Sequence, residues 1–192
     1  MSPDDVLSEF TASGALLEGH FKLSSGRHSG YYLQCARVLM DPARAARIAH
    51  ALVEKLPQHL RDTVDCIMSP AMGGIIIGHE VARAMGKNAM FLERPQGSFE
   101  LRRGFSVVPG ARVLMVEDVV TTGLSSRQAM EAVRASGADV VALASIVDRT
   151  GGDRTFDVPY HALVTFDFPT YADDALPADL AALPVTKPGS RA

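Results

Sequence analysis

The sequence predicts a single α/β domain with a doubly wound, mainly parallel sheet, helices on both of its faces and a small amino-terminal hood. Two observations indicate the sheet: short apolar runs alternate with helix-length segments, and these runs are continuously apolar, as in strands covered on both sides. A third, the length of 192 residues, suits one domain. Within it we expect residues 1–40 to form the hood and residues 169–192 a carboxyl-terminal tail.

Two helices are predicted in the first third of the chain. Ser2 can cap a short helix that Gly14 stops, and Asp41 followed by Pro42 repeats this start signal. An apolar stripe at helical spacing follows Pro42, through Ala45, Ile48, Ala49, Leu52, Val53 and Leu56. Between the two helices, residues 21–23 and 31–33 flank a stretch rich in Ser and Gly, which predicts a small hairpin.

The alternation that predicts the sheet begins after the second helix. Strands are predicted at residues 64–68, 89–92, 113–116 and 140–147, and helices at residues 75–85 and 124–135. Residues 94–110 are polar and long for a connection between strands, which is typical of functional loops. The segment after Phe168 is rich in Pro and Ala and gives no assignment.

The composition argues against nucleic acids and membranes as partners. The formal net charge of -3 gives no electrostatic reason to expect a nucleic acid, which usually binds a concentrated basic surface. The acidic amino terminus lacks a secretory pattern and no apolar run approaches the roughly 20 residues of a membrane span, so we expect a cytoplasmic protein without a membrane partner. Cys35 and Cys66 stand apart from any zinc-site spacing, which favours buried structural cysteines.

The segment with the clearest chemistry is residues 113–125, where an apolar strand leads to two acids, a turn with small and hydroxyl side chains, and a helix. Ligands bind at the carboxyl ends of strands in open α/β sheets, and a helix amino terminus offers N–H groups to an anion. We therefore expect a phosphate at residues 121–125, and sugar hydroxyls or a divalent cation at Glu117 and an exposed Asp118. The alternative is an ordinary helix cap on a βα loop.

This segment resembles the signature of type I phosphoribosyltransferases, which bind 5-phosphoribosyl 1-diphosphate (PRPP). Three further segments are similar to those of the orotate phosphoribosyltransferase family within this group. They are residues 21–29 with Tyr31 and Tyr32, residues 69–74, and Asp148 with Arg149. This resemblance implies an enzyme that transfers the phosphoribosyl group of PRPP to N1 of orotate, giving orotidine 5′-monophosphate and diphosphate in pyrimidine (UMP) biosynthesis. Mg²⁺ is the implied cofactor, bound chiefly through PRPP, and a water-mediated contact to Glu117 and Asp118 is the option that the resemblance leaves for the protein.

The resemblance also implies a set of site residues. The catalytic candidates are Asp118, Glu117, Arg102 and Arg103. The PRPP-binding candidates are Glu117, Asp118, Val119, Val120, Thr121, Thr122, Gly123, Leu124, Ser125, Met72, Gly73 and Arg94. The orotate-binding candidates are Thr121, Arg149, Ser24, Tyr31 and Tyr32. The guanidinium of Arg149 suits the carboxylate of orotate, although a surface arginine at a strand end is the plainer interpretation from position alone.

Residues 94–104 occupy the place of the family's mobile catalytic loop, which implies a homodimer in which each loop reaches the neighbouring site. The loop departs from the common pattern because it contains neither lysine nor histidine. Arg102 and Arg103 could neutralise diphosphate but are poor proton donors, and a solvated surface is their alternative role. Ser24 and Gly73 also replace lysines that some family members carry.

Two other functions fit parts of the sequence. A phosphoribosyltransferase for a purine would share the phosphate turn, but a purine has no carboxylate for Arg149 to bind. A non-catalytic PRPP-sensing regulator would share the fold, but it would usually need the basic nucleic-acid surface that this composition does not favour.

Overall fold

The computed structural model describes residues 1–23, 25–152 and 156–188. In chain order its elements are α1 (Pro3–Ala12), β1 (Leu16–Lys22), β2 (His28–Leu33), α2 (Cys35–Leu39), α3 (Pro42–Lys55), α4 (Gln58–Thr63), β3 (Cys66–Pro70), α5 (Gly74–Met85), β4 (Asn88–Glu93), β5 (Glu100–Leu101), β6 (Arg112–Val120), α6 (Leu124–Ala135), β7 (Asp139–Asp148), β8 (Tyr160–Thr165), β9 (Thr170–Tyr171), α7 (Ala178–Ala181) and β10 (Val185–Thr186). No helix in these ranges is both long enough and apolar enough to cross a membrane.

The central sheet has six strands in the order β5-β4-β3-β6-β7-β8. Its five longer strands run parallel, and the two-residue β5 is antiparallel to β4. This confirms the predicted mainly parallel α/β sheet. The short β5 lies inside the predicted loop. Strand β8 was not predicted from the sequence pattern.

Side chains of β6 alternate between two apolar layers, which explains its continuously apolar sequence. Leu114 and Val116 pack in the cluster formed with α3 and α5, whereas Val113 and Met115 pack in the cluster formed with α6. All four are fully buried. Helices therefore cover both faces of the sheet, as strands without polar alternation require.

The order of the strands places a crevice between β3 and β6. From β3 the chain passes through α5 to β4 on one side, and from β6 it passes through α6 to β7 on the other. The connections after β3 and β6 therefore diverge at the carboxyl edge of the sheet. Such a reversal of winding leaves a cleft in which α/β proteins bind ligands.

A second sheet joins the two ends of the chain. Its order is β10-β1-β2-β9, with β10 parallel to β1 and β9 antiparallel to β2. The hairpin of β1 and β2 is longer than predicted, because pairing continues from Phe21 back to Leu16 across an irregularity in register. The tail, for which the sequence pattern predicted no element, supplies both edge strands of this sheet.

The two predicted helix starts have the expected caps. At α1, the Ser2 Oγ accepts from the Asp5 N–H at 3.2 Å while the Ser2 N–H donates to the Asp5 carboxylate at 2.8 Å. At α3, an Asp41 oxygen accepts from the N–H groups of Ala43 at 2.9 Å and Arg44 at 3.3 Å. These bonds satisfy N–H groups that have no partner within the helix.

The α3 cap gives a test of this local account. Asp41→Ala removes the acceptor and should lower the free energy of unfolding by about 1 kcal/mol, measured by urea denaturation. Asp41→Asn keeps an acceptor oxygen and should lose much less. Equal losses in both variants would show that the charge of Asp41, and not its hydrogen bonds, stabilises α3.

Candidate active site

The two acids lie within β6, not beyond its end. The predicted strand stopped at residue 116, but β6 continues to pair with β7 as far as Val120 opposite Asp148. Glu117 is buried, with 6% of its surface exposed. Asp118 is half-buried, so the expectation of an exposed carboxylate was wrong: the neighbouring connection after β3 packs against it.

Burial dominates the electrostatics of this acidic pair. It raises the pKa of Glu117 to about 8, with the charge of Asp118 adding to the effect and a hydrogen bond from Ser126 opposing it. Ser126, itself buried on α6, donates to Glu117 Oε1 at 3.0 Å. Burial likewise raises the pKa of Asp118. The pair therefore favours any ligand that brings hydroxyl donors or positive charge.

The turn after β6 has the geometry expected for an anion site. Gly123 has a φ of 69°, which a residue with a side chain rarely adopts, and α6 begins directly after it. Of the predicted PRPP-binding residues here, some face solvent and some do not. Thr121, Thr122, Leu124 and Ser125 are exposed, Val119 is half-buried, and Val120 and Gly123 are buried.

Two side chains outside the prediction pack around this turn. An Arg127 nitrogen donates to the Thr122 carbonyl at 2.8 Å, and the Arg127 guanidinium lies 5.7 Å from the ring centre of Phe156. A Cβ placed on Gly123 would lie 2.7 Å from the Phe156 ring. Side chains of α6 and of the segment before β8 therefore pack directly against the turn.

The connection after β3 meets Asp118 across the crevice. A Cβ placed on Gly73 would lie 2.6 Å from Asp118 Oδ2 and 2.8 Å from Oδ1, closer than a real Cβ can approach. Glycine at this position therefore allows the carboxylate its observed position. Met72, the neighbouring candidate, is 77% exposed at the mouth of the crevice.

The predicted orotate residues lie beside the acidic pair. Arg149 follows β7, and its backbone N–H donates to the Val120 carbonyl at 2.8 Å. Burial lowers the pKa of Arg149, while the neighbouring Tyr32 and Cys35 raise it. Burial also raises the pKa values of Tyr32 and Cys35, and the charge of Asp118 contributes to both shifts. These residues therefore lie close together at one side of the acidic pair.

An aromatic residue of the tail completes this group. The Phe168 ring centre lies 5.2 Å from the Arg149 guanidinium and 5.0 Å from the Tyr31 ring, with which it stacks. Tyr31 and Tyr32 are both half-buried. Ser24 lies outside the described residues.

The loop of residues 94–104 folds against the edge of its own sheet. Arg94 donates to Gln128 of α6 at 2.7 Å, and its guanidinium lies 4.1 Å from the ring centre of Phe99. Phe99 is 8% exposed and packs into the core cluster beneath α6. Arg94 is also close enough to Glu117 to lower the pKa of that acid.

The two arginines proposed for catalysis lie elsewhere in this conformation. Arg103 forms an ion pair with Glu93 of β4 at 2.8 Å and has a φ of 58°, while Arg102 is exposed. Arg102 and Arg103 directly follow β5, and strands β4 and β3 separate β5 from β6. The structure thus brings together Arg94, Glu117, Asp118 and Arg149, but not Arg102 and Arg103.

Contacting residues that were not predicted as site residues include Cys35, Ser126, Arg127, Phe156 and Phe168. Ser126 and Arg127 directly follow the signature in the first turn of α6, so helical spacing could have identified them. Cys35 was correctly expected to be buried, but its approach to Asp118 depends on tertiary packing. Nothing in the sequence around Phe168 indicated that the tail returns to the hood.

The described residues hold no group of three or more His, Cys, Asp or Glu side chains placed to bind a metal ion. The carboxylates of Glu117 and Asp118 are hard oxygen donors of the kind that Mg²⁺ accepts. Two such ligands leave most of an octahedral shell to water or to oxygens of a bound molecule. The chemistry of this pair therefore suits an ion that arrives with a ligand.

The raised pKa of Glu117 predicts a pH-dependent stability difference. Between about pH 4.5 and 8 the folded protein retains a proton that the unfolded chain has lost, so stability falls as pH rises through this window. Glu117→Gln cannot ionise, so it should be more stable than the parent by on the order of a few kcal/mol near pH 8 and about equal near pH 4.5. Urea denaturation at both pH values measures the difference. The exposed Glu131→Gln is the control, and a Glu117→Gln difference independent of pH would contradict the burial argument.

Comparisons with known proteins agree with the resemblance inferred from the signature. A model of the phosphoribosyl transferase domain matches residues 36–172. Orotate phosphoribosyltransferases of Erythrobacter litoralis and Sphingopyxis alaskensis are 66% and 64% identical over the whole chain, covering 100% and 98% of those proteins. The crystal structure of orotate phosphoribosyltransferase from Aeropyrum pernix superposes with a TM-score of 0.70 and 27% identity, covering 84% of this chain and 93% of that one. The chain therefore belongs to the phosphoribosyltransferase family and, within it, to the orotate phosphoribosyltransferases.

Proposed function

We propose that this protein transfers the phosphoribosyl group of PRPP to N1 of orotate, releasing orotidine 5′-monophosphate and diphosphate in pyrimidine biosynthesis. The observation that carries this proposal is the position of Arg149, whose backbone N–H donates to the carbonyl of Val120 at 2.8 Å, two residues beyond Asp118 on β6. A cation suited to the carboxylate of orotate thus lies beside a carboxylate suited to ribose hydroxyls. A reaction that joins base to ribose needs these two groups on one surface.

In this proposal the 5′-phosphate of PRPP binds the turn before α6. Support comes from the left-handed Gly123, the exposed Thr121 and Thr122, and the amino terminus of a twelve-residue helix. The ribose 2′ and 3′ hydroxyls then donate to Glu117 and Asp118. Ribose hydroxyls are neutral, so they stabilise the pair where a second phosphate would be repelled.

Mg²⁺ is the cofactor that we propose for the reaction. Glu117 and Asp118 offer suitable oxygens, directly or through water, and PRPP supplies the remaining ligands. When bound, the ion offsets the negative charge that gathers on the departing diphosphate. The pKa of Glu117, raised by burial to about 8, should fall when positive charge arrives beside it.

The transfer is a displacement at the anomeric carbon. N1 of orotate forms a bond to this carbon as the bond to the diphosphate oxygen breaks, and positive charge develops on the ribose ring. The protein contributes mainly position: Arg149 and Tyr32 orient the base, while the turn and the acidic pair hold the ribose. Asp118, half-buried beside the ring, is placed to stabilise its developing charge.

We propose further that Arg102 and Arg103 act on the diphosphate of a neighbouring subunit in a homodimer. Their distance from β6 within the chain is compatible with a role at another site, reached when residues 94–104 leave the edge of the sheet. Arg103 would then exchange its ion pair with Glu93 for the diphosphate. That ion pair lies on the surface, where solvent screens its charges, so the exchange is energetically small.

The activity is tested by incubating the purified protein with PRPP, Mg²⁺ and orotate and following the loss of orotate absorbance. Adenine, guanine, hypoxanthine and uracil serve as parallel acceptors. We expect metal-dependent consumption of orotate alone. Reaction with a purine would retain the PRPP site and refute the assignment of Arg149, whereas PRPP binding without transfer to any base would favour a regulator.

Arg149→Ala should separate the base site from the PRPP site. Without the guanidinium, the KM for orotate should rise about tenfold or more, the effect of losing a charged hydrogen bond, while the KM for PRPP changes little. The control is Arg134→Ala, whose half-buried side chain on α6 pairs with Asp157, and this variant should behave as the parent. Equal increases in both KM values would show that Arg149 maintains the fold of the site instead of binding the base.

Gly73→Ala tests the position of Asp118. The φ of Gly73 is -59°, which alanine adopts freely, so the added Cβ acts only through its clash with the carboxylate. We expect turnover to fall about tenfold while the free energy of unfolding changes by less than about 1 kcal/mol. Unchanged kcat and KM for PRPP would mean that the observed position of Asp118 does not matter for the reaction.

A further inference from the structure

Two buried histidines lie beside each other on adjacent strands of the second sheet. His20 of β1 and His28 of β2 are each 3% exposed. The His20 Nε2 and the His28 Nδ1 are 2.6 Å apart, and the ring centres are 4.8 Å apart. This distance between two ring nitrogens requires a proton between them, because two lone pairs would repel.

The outer nitrogen of each ring meets the carboxyl-terminal tail. His20 Nδ1 lies 3.2 Å from the carbonyl oxygen of Leu183, and His28 Nε2 lies 2.5 Å from Asp173 Oδ1. A carbonyl and an ionised carboxylate only accept hydrogen bonds, so both outer nitrogens must donate. The hydrogen bond from His28 is the first of several interactions that lower the pKa of Asp173, which keeps this carboxylate ionised.

Counting protons gives the charge of the pair. The three hydrogen bonds need three N–H groups, but two neutral imidazoles carry only two. We propose that His20 and His28 share one additional proton, that Asp173 is its counter-ion, and that this proton holds the tail where the orotate site needs it. The charge belongs to the pair, since either ring can be the imidazolium without changing any heavy-atom position.

Other contacts show what the tail position controls. Beside the histidines, Ser29 Oγ donates to the Pro169 carbonyl at 3.1 Å and Arg27 donates to the Thr170 hydroxyl at 2.8 Å. The tail is thereby attached to β2 along residues 169–173. Phe168 immediately precedes this stretch and lies between Tyr31 and Arg149. The histidines are therefore positioning residues for the base site, an inference that rests on the proposed function.

The charged surroundings set the direction of the pH dependence. Asp173 favours the shared proton, and Lys22 of β1, 3.3 Å from Asp173, opposes it from farther away. Arg27 is turned to Thr170. When the shared proton leaves, one of the three hydrogen bonds is lost, because two neutral imidazoles carry only two N–H groups. Attachment of the tail is then strongest at low pH and weakens as pH rises.

Asp173→Asn is the informative variant. Its amide oxygen can still accept from His28 Nε2, so the low-pH geometry is kept, but the counter-charge is gone and the proton should leave at lower pH. Asp174→Asn removes the same charge from the next residue, an exposed one, and is the matched control. We expect the KM for orotate in Asp173→Asn to exceed that of the control about fivefold near pH 7.5, the effect of one hydrogen bond, and to match it near pH 6. The KM for PRPP should be equal in both at either pH.

Nitrogen-15 NMR of the imidazoles tests the proton count without substrate. We expect three N–H protons on this pair in the parent protein near pH 6, and the loss of one of them at a lower pH in Asp173→Asn than in Asp174→Asn. Two N–H protons on a folded pair at that pH would overturn the shared proton. Three protons combined with an orotate KM that does not change when the shared proton is lost would overturn the positioning role. Absence of orotate transfer by the parent would instead refute the proposed function, with the proton count still measured.

Discussion

The structure depends on holding two adjacent carboxylates in a place with little water. β6 carries Glu117 and Asp118 between two apolar layers, so hydration of the buried Glu117 is nearly lost and hydration of the half-buried Asp118 is reduced. Ser126 supplies one hydrogen bond to Glu117, and Gly73 supplies space for Asp118. Residual electrostatic energy remains, which a ligand with hydroxyl donors or a cation can release. Burial of the two acids thus lowers the stability of the free protein and strengthens the binding of such a ligand.

The base side of the site depends on a different constraint, namely that the chain's two ends meet. The hood hairpin supplies Tyr31 and Tyr32, and the tail supplies Phe168 and the edge strands of the same sheet. Neither end could bury its apolar side chains alone, because a two-stranded hairpin is marginal in water. The pocket beside Arg149 is consequently assembled from segments separated by most of the sequence, and its shape responds to whatever holds the tail.

Sequence was sufficient wherever a feature is local. The caps at Ser2 and Asp41, the glycine turn at Gly123 and the apolar runs of the central sheet all follow from neighbouring residues, and the structure has them. It was insufficient where partners are distant: β9 and β10 have two residues each and exist only because β1 and β2 pair with them. The exposure of Asp118 was misjudged for the same reason, since Gly73 approaches it from another strand.

The most direct test of the acidic pair as a ribose site is a crystal structure of the protein with PRPP and Mg²⁺. We expect the 5′-phosphate at residues 121–125 and the ribose 2′ and 3′ hydroxyls within hydrogen-bond distance of Glu117 and Asp118. A 5′-phosphate bound at another place, or a ribose turned away from both carboxylates, would contradict the view that their burial serves PRPP binding.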